Sequence, residues 1–191
     1  MGITFNSLDT LPYIPYNIIS HIAQDPEVED FWKLLKYNDY DALSKPNLSL
    51  QEKMELVCKN QEDQNKYGIF LTRLVENEQT IERTIVKLYK ADTRPISAQN
   101  AIASIEFDIL CGAKTTIVDF NGYPCSRLDV MEHLIVKSLN GAEVSGVGVL
   151  QFNDDLTNLC RATLGIGNNS SYIGTAIIMG TLVTNLHDKG C

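Results

Sequence analysis

The sequence predicts an α+β fold in which N-terminal short helices are followed by an antiparallel β-sheet packed against one main helix. Three observations carry this. In the first third, Val28, Phe31, Trp32 and Leu35 fall at i, i+3, i+4 and i+7, one apolar stripe of a helix. From Tyr67 the period shifts to two, most clearly where Ile105, Phe107, Ile109 and Cys111 alternate with Glu106, Asp108 and Leu110. One further helical stretch, residues 127–139, stands among strands, so the order is helices, strands, one helix, strands. The polar stretch 60–66 is the best internal boundary, dividing an N-terminal helical segment (1–60) from an α+β sheet domain (67–191).

The elements follow from local chemistry. Residues 16–24 read as a short helix behind Pro15. Asp25-Pro26-Glu27-Val28-Glu29 is a helix start: Asp25 caps, Pro26 suits the first turn, and the glutamates favour the positive end of the dipole. That helix fades near Tyr37. Pro46 biases Lys45 toward extended backbone, and Ser49 with Glu52 forms a capping box that opens a third helix reaching about Lys59. Strands are expected over 69–74 and 82–89, with a turn at Asn77-Glu78-Gln79, and a long loop over 91–98 around Arg94-Pro95. A short strand over 115–120 turns at Asn121-Gly122. Ser126 and Asp129 start the main helix, which puts Met131, Leu134, Ile135 and Ser138 on one face and stops at Asn140-Gly141. Residues 144–152 and 172–183 read as strands, with a loop over 165–171. Phe31, Leu35, Ile105, Phe107, Ile109, Leu134, Ile135 and Phe152 are the expected core, each contributing about 1.5–3 kcal/mol on burial.

Composition narrows the function classes. Apolar residues make up 44% of 191, enough for a packed core and against wholesale disorder. Acidic residues outnumber basic ones by 24 to 16, and a net charge of −8 argues against duplex nucleic acid as the main ligand, which needs a basic footprint. No apolar run reaches the roughly 18 residues of a membrane span, and the N-terminus carries neither a basic region nor an apolar stretch of a secretory signal. The five cysteines are odd in number and widely spaced, without a CxxC, which fits reduced thiols in a cytosolic setting and gives no zinc pattern with His21, His133 and His187.

Motifs for chemistry are thin. Cys111-Gly112-Ala113-Lys114-Thr115-Thr116 echoes a phosphate loop but lacks its first glycine and the following helix. Cys125, just before a helix start, with His133 eight residues on is the one arrangement that suits a Cys nucleophile; the plainer reading is a small apolar filler and a surface histidine. Glu106 and Asp108 share one strand face, where a solvated sheet surface is the expected explanation. No catalytic residue, metal or cofactor is expected, and the chain does not read as an enzyme.

Three stretches carry a resemblance. Residues 31–49 run Phe31-Trp32-Lys33-Leu34-Leu35-Lys36-Tyr37-Asn38-Asp39-Tyr40-Asp41-Ala42-Leu43-Ser44-Lys45-Pro46-Asn47-Leu48-Ser49; residues 102–111 contain the strand Ile105-Glu106-Phe107-Asp108-Ile109; residues 127–152 end in Val144-Ser145-Gly146-Val147-Gly148-Val149-Leu150-Gln151-Phe152. With the closing Tyr172-Ile173-Gly174-Thr175-Ala176-Ile177, this pattern resembles the neck and tail-completion (tail-terminator-like) proteins of tailed bacteriophages over about two thirds of the chain. The segments 115–121 and 164–171 depart from it, lacking the Trp-rich or acidic hairpin and the aromatics of that family. The resemblance implies a structural subunit of a homo-oligomeric ring, of about six or twelve copies, closed by head-to-tail contacts. Its partners would be copies of itself, the portal or adaptor and the tail tube proteins, with DNA passing through the lumen without specific binding and no membrane involved. Part of the net −8 would then line the channel, where like charge keeps DNA from sticking. It would be located in the virion neck or tail after assembly in the host bacterial cytoplasm. A head-completion or adaptor protein of the same neck is the alternative; a small cytosolic enzyme with a Cys nucleophile is the alternative of a different class. Within the matched segment, Tyr37, Asp39, Asp41, Lys45 and Pro46 are the candidate interface residues, being polar or rigid and not core-forming. Shaping the local loop is the competing role for them.

Overall fold

A computed structural model of the chain describes residues 8–60, 64–73, 82–97, 100–152, 161–164 and 172–184. The fold class is the expected one, α+β with a mostly antiparallel sheet. Four α-helices are described: α1 (Ile14–Gln24), α2 (Glu29–Lys36), α3 (Leu50–Glu55) and α4 (Arg127–Leu139). The strands are β1 (Ile69–Phe70), β2 (Thr84–Pro95), β3 (Asn100–Gly112), β4 (Ile117–Phe120), β5 (Tyr123–Ser126), β6 (Glu143–Val144), β7 (Gly148–Gln151), β8 (Arg161–Leu164) and β9 (Tyr172–Thr184). The main sheet runs β1-β2-β3-β9-β7-β6, with β8 also paired to β9, and β1 lies parallel to β2. The hairpin β4–β5 forms a second, two-stranded sheet.

Register assigns the faces. Val86 pairs with Ile109 and Leu88 with Phe107, while Phe107 meets Ile177 and Ile105 meets Met179 on the other side, and all are buried on the helical face. Onto that face pack Ile14, Ile18 and Ile22 of α1, Phe31, Trp32 and Leu35 of α2, and Met131, Leu134 and Ile135 of α4, in one continuous core. The N-terminal helices therefore share the sheet's core with α4, so the sheet is covered by more than the single helix expected. Phe152 is only partly buried, because it follows the end of β7 at the margin of the core.

The helix boundaries follow their caps. Asp25 accepts from the Glu27 N–H at 2.9 Å, but the turn it opens is a 3-10 turn, Pro26–Val28, and the α-helix begins at Glu29. The Ser49/Glu52 box is formed as expected: Glu52 accepts from the Ser49 N–H at 2.9 Å. Those hydrogen bonds hold the Glu52 carboxyl below its usual range. The third helix ends at Glu55, short of Lys59, as the chain turns into an isolated bridge between Val57 and Ile69. Buried Lys53 ties α3 to the α1–α2 corner by donating to the Ala23 carbonyl at 3.1 Å and pairing with Glu29.

Three strand expectations change. The region expected as a loop at 91–98 is strand as far as Pro95, where β2 pairs with β3 beyond a bulge between Lys90 and Asp92. Proline is tolerated there because β1 pairs only with Val86 and Lys87, leaving the rest of that β2 edge open among the described residues. The strand expected over 69–74 is only Ile69–Phe70, because the chain bends over residues 71–73; Leu74 lies outside the described residues. The strand expected over 144–152 breaks into β6 and β7 around Gly146, whose φ of +73° is a conformation that favours glycine and where a Cβ would displace the end of the Asn17 side chain. The turn at 77–79, the loop at 165–171, Cys160, His187 and Cys191 lie outside the described residues.

Candidate assembly interface

The five candidate residues lie on the loop that leaves α2. Tyr37 caps the helix with its N–H on the Lys33 carbonyl at 2.8 Å, and its side chain packs partly buried against the core. Asp39 and Asp41 are exposed, and a 3-10 turn, Ala42–Ser44, follows. The Ser44 hydroxyl donates to the Asp41 carbonyl at 2.8 Å. Asp41 and Lys45 form an ion pair at 2.8 Å, which lowers the Asp41 pKa and raises that of Lys45. Pro46 is exposed just beyond. The structure thus joins Asp41 to Lys45 by side chains and Tyr37 to Asp39 by backbone, whereas Pro46 stands apart.

What joins Tyr37 to Asp39 is Arg127, a residue the sequence reading left out. It sits at the first position of α4, fully buried. Nε donates to the Thr115 carbonyl at 2.7 Å, Nη1 to Leu34 at 3.0 Å and Tyr37 at 2.9 Å, and Nη2 to Asp39 at 2.9 Å. The cation closes the C-terminal end of α2, where orphan carbonyls and the negative end of the dipole favour it. Burial lowers its pKa, yet a guanidinium stays protonated in proteins. A signal existed: Arg127, Met131 and Leu134 share the core-facing stripe of α4, where an arginine needs a buried partner.

The same cation fixes a second surface beside the loop. Through Thr115 it anchors the segment that enters β4, and the Asp119 N–H donates to the Tyr40 carbonyl at 2.9 Å. The β4–β5 hairpin turns at Asn121 (φ 56°) and Gly122 (φ 83°), and Gly122 donates its N–H to Asp119 Oδ1 at 2.8 Å. Between loop and hairpin opens a cleft of about 270 Å³. Leu43 and Phe120, both packed on the core, give it an apolar floor, and Asp30, Asp41 and Asp119 line its rim. Lys33 pairs with Asp30 at 3.2 Å and also donates to the Leu43 carbonyl. Asp119 pairs with no cation among the described residues. Tyr40 (52% exposed), Ile117 (55%) and Tyr123 (70%) surround this area as large apolar side chains in solvent.

The other chemical candidates resolve into packing, with one exception. Lys114 points outward to Glu82 at 3.3 Å, and the Thr115 hydroxyl donates to the Gly112 carbonyl, so the phosphate-loop echo is a closed turn. Cys58, Cys111 and Cys125 are free thiols, and burial raises the pKa of Cys58 and Cys111. Cys125 packs from β5 against the core, while His133 is exposed on α4 and meets the Phe120 ring edge-on, 6.4 Å between centroids. The exception is the face expected to be solvated. Asp108 is buried there and accepts from the Tyr89 hydroxyl at 3.1 Å, with Lys87 3.6 Å away. Glu106 is half-buried beside it, and burial and the adjoining Asp108 raise its pKa. The reason is that this face holds its own small core of Phe70, Ile85, Leu110 and Tyr172.

Among the described residues no group of three or more His, Cys, Asp or Glu could hold a metal ion, and no helix is long and apolar enough to cross a membrane. No curated protein and no solved structure matches the chain. The family model YomW matches residues 29–181, from the first residue of α2 into β9, and the chain therefore belongs to the YomW family, a family of phage type.

Proposed function

We propose that this chain is a structural subunit of an oligomeric ring at the head–tail interface of a tailed bacteriophage, a tail-completion or terminator-like part that joins the head to the tail and leaves a channel for DNA. Membership of a phage-type family supplies the setting. The observation that carries the ring is that two different solvent-facing surfaces lie at opposite ends of β3. The hairpin end formed by residues 90–97 adjoins Asn100, and the cleft of the 37–46 loop and the β4–β5 hairpin follows Gly112. Thirteen residues of strand separate them, roughly 40 Å at about 3.3 Å per residue. Head-to-tail closure needs such a pair of distinct patches, because each copy must offer one to the neighbour ahead and the other to the neighbour behind. The net charge of −8 suits a conduit that DNA must traverse without adhering.

Mass spectrometry of purified virions from the strain that carries the gene, followed by antibody-labelled electron microscopy, tests the reading. The chain is expected in the particles, with label at the head–tail junction. Virions free of the chain, or label confined to another part of the particle, would overturn it.

A further inference from the structure

We infer that the ring contact, if the neck reading above holds, seats the exposed β2–β3 hairpin end of one copy in the cleft between the 37–46 loop and the β4–β5 hairpin of the next, with Arg94 facing Asp119 and Ile96 entering over Leu43 and Phe120.

The hairpin end has the chemistry of a plug. Past the bulge, residues 94–97 are all exposed, and Ile96 is held out at 57% exposure by a turn in which its N–H donates to the Asn100 carbonyl at 2.8 Å. Arg94 forms no ion pair among the described residues, an unspent cation on a strongly acidic chain. Among the described residues the β2 edge beyond Lys87 is open, yet it is a poor site for main-chain pairing with a neighbour. It carries the bulge, Lys90, Asp92, Arg94 and Pro95, features that block the addition of another strand. Contact there falls to side chains, and the described part of this end offers one cation, Arg94, and one large apolar group, Ile96.

The cleft has the matching chemistry of a socket. Its floor is apolar and its rim carboxylate, and two of the three rim carboxylates are already matched by Lys33 and Lys45, leaving Asp119. Plug and socket cannot meet within one copy, because β3 holds them at its two ends. A contact of this kind is head-to-tail by construction and continues until it closes. The socket is rigid because Arg127 pins both of its walls, so little ordering is needed on docking.

The test exploits that polarity. Arg94→Asp and Asp119→Arg are made separately, and assembly is followed by sedimentation and light scattering over a concentration series. Each variant alone should need at least about tenfold more protein to assemble, a loss typical of a close interfacial charge pair. An equimolar mixture of the two should assemble like the unaltered chain. In alternating copies, the aspartate introduced in one variant faces the arginine introduced in the other, and the native Arg94 and Asp119 meet at the contacts between. Asp119→Asn keeps the acceptor for Gly122 and should weaken assembly with the fold intact by circular dichroism. Variants that assemble like the unaltered chain, or a mixture that fails while both proteins are folded, would overturn the contact and leave the neck reading in place. An unaltered chain that stays monomeric across the series would also overturn it, while the neck reading would still be decided by the virion analysis.

Discussion

Arg127 and Asp108 are both buried ionisable side chains, but only the first has its hydrogen bonds completed by its surroundings. Four of the five N–H groups of Arg127 meet backbone carbonyls from two separate stretches of chain, residues 34–39 and Thr115. Asp108 has one oxygen on the Tyr89 hydroxyl and near Lys87, while the other, Oδ1, is buried with no hydrogen-bond partner among the described residues, and a second carboxyl, Glu106, stands beside it. The comparison separates two uses of buried charge. A cation bonded to neutral carbonyls organises backbone at any ordinary pH. A pair of carboxyls short of donors is stable only to the extent that one of them stays protonated or finds a neighbouring cation.

The largest effect is expected at Arg127. Arg127→Met removes the donor set and strands the carbonyls of Leu34, Tyr37, Asp39 and Thr115, at a cost of roughly 3–5 kcal/mol, a large share of a typical domain's stability. Arg127→Lys should recover only part of it, because an ammonium cannot reach carbonyls on both walls with a planar fork. Urea denaturation of both variants checks the order. Equal stability of Arg127→Lys and the unaltered chain would show that charge alone suffices and would break the contrast with Asp108.

The next effect is smaller. Tyr89→Phe removes the hydroxyl donated to Asp108 and leaves a buried carboxylate with fewer partners, at about 1.5–3 kcal/mol for a hydrogen bond to a charged group. A loss below about 0.5 kcal/mol in the same assay would mean that Lys87 alone satisfies Asp108, and the two regions would then be more alike than their geometry indicates.

The two regions also differ in how far the sequence disclosed them. Local signals are legible: the Ser49/Glu52 box, the span and caps of α4 and the Asn121-Gly122 turn rest on contacts within a few residues, and the alternation through β3 is a pattern of neighbouring residues even though its strand partners are distant. The partners of Arg127 were not, because Leu34, Tyr37 and Asp39 lie 93, 90 and 88 positions away and contribute carbonyls, which every residue has. The sequence shows the Glu106/Asp108 pair but predicts a solvated face for it, since alternation gives the side of a strand and not what lies over it. The length of β2 was hidden by Pro95, a strand breaker in a central strand and an acceptable residue at an open edge. Of the candidate interface, the 37–46 loop was legible from its own residues. The facing wall at Asp119–Asn121 was not, because only the fold brings it there.

The smallest effect has the opposite sign to the others, which makes it the sharpest probe of the comparison. Among the described residues, the groups facing Glu106 are Asp108 on its own strand, Tyr89 and Lys87 on β2 and Arg73 beyond β1, while β9 brings Ile178 and Ala176. Burial first, and then the charge of Asp108, raise the Glu106 pKa above its unfolded value of about 4.3. Below that value both states hold the proton and the native state loses nothing. As pH rises the unfolded chain releases its proton first, so stability falls through the window up to the raised folded pKa and stays reduced above it. Glu106→Gln should therefore match the unaltered chain in acid and exceed it in stability at pH 7, where its amide also supplies a donor beside Asp108 Oδ1. Denaturation midpoints of the two proteins between about pH 4 and 7.5 measure this as a difference, in which titrations shared by both cancel. A variant less stable at neutral pH, or a difference that does not grow with pH, would show that the carboxylate of Glu106 is as well satisfied as the guanidinium of Arg127.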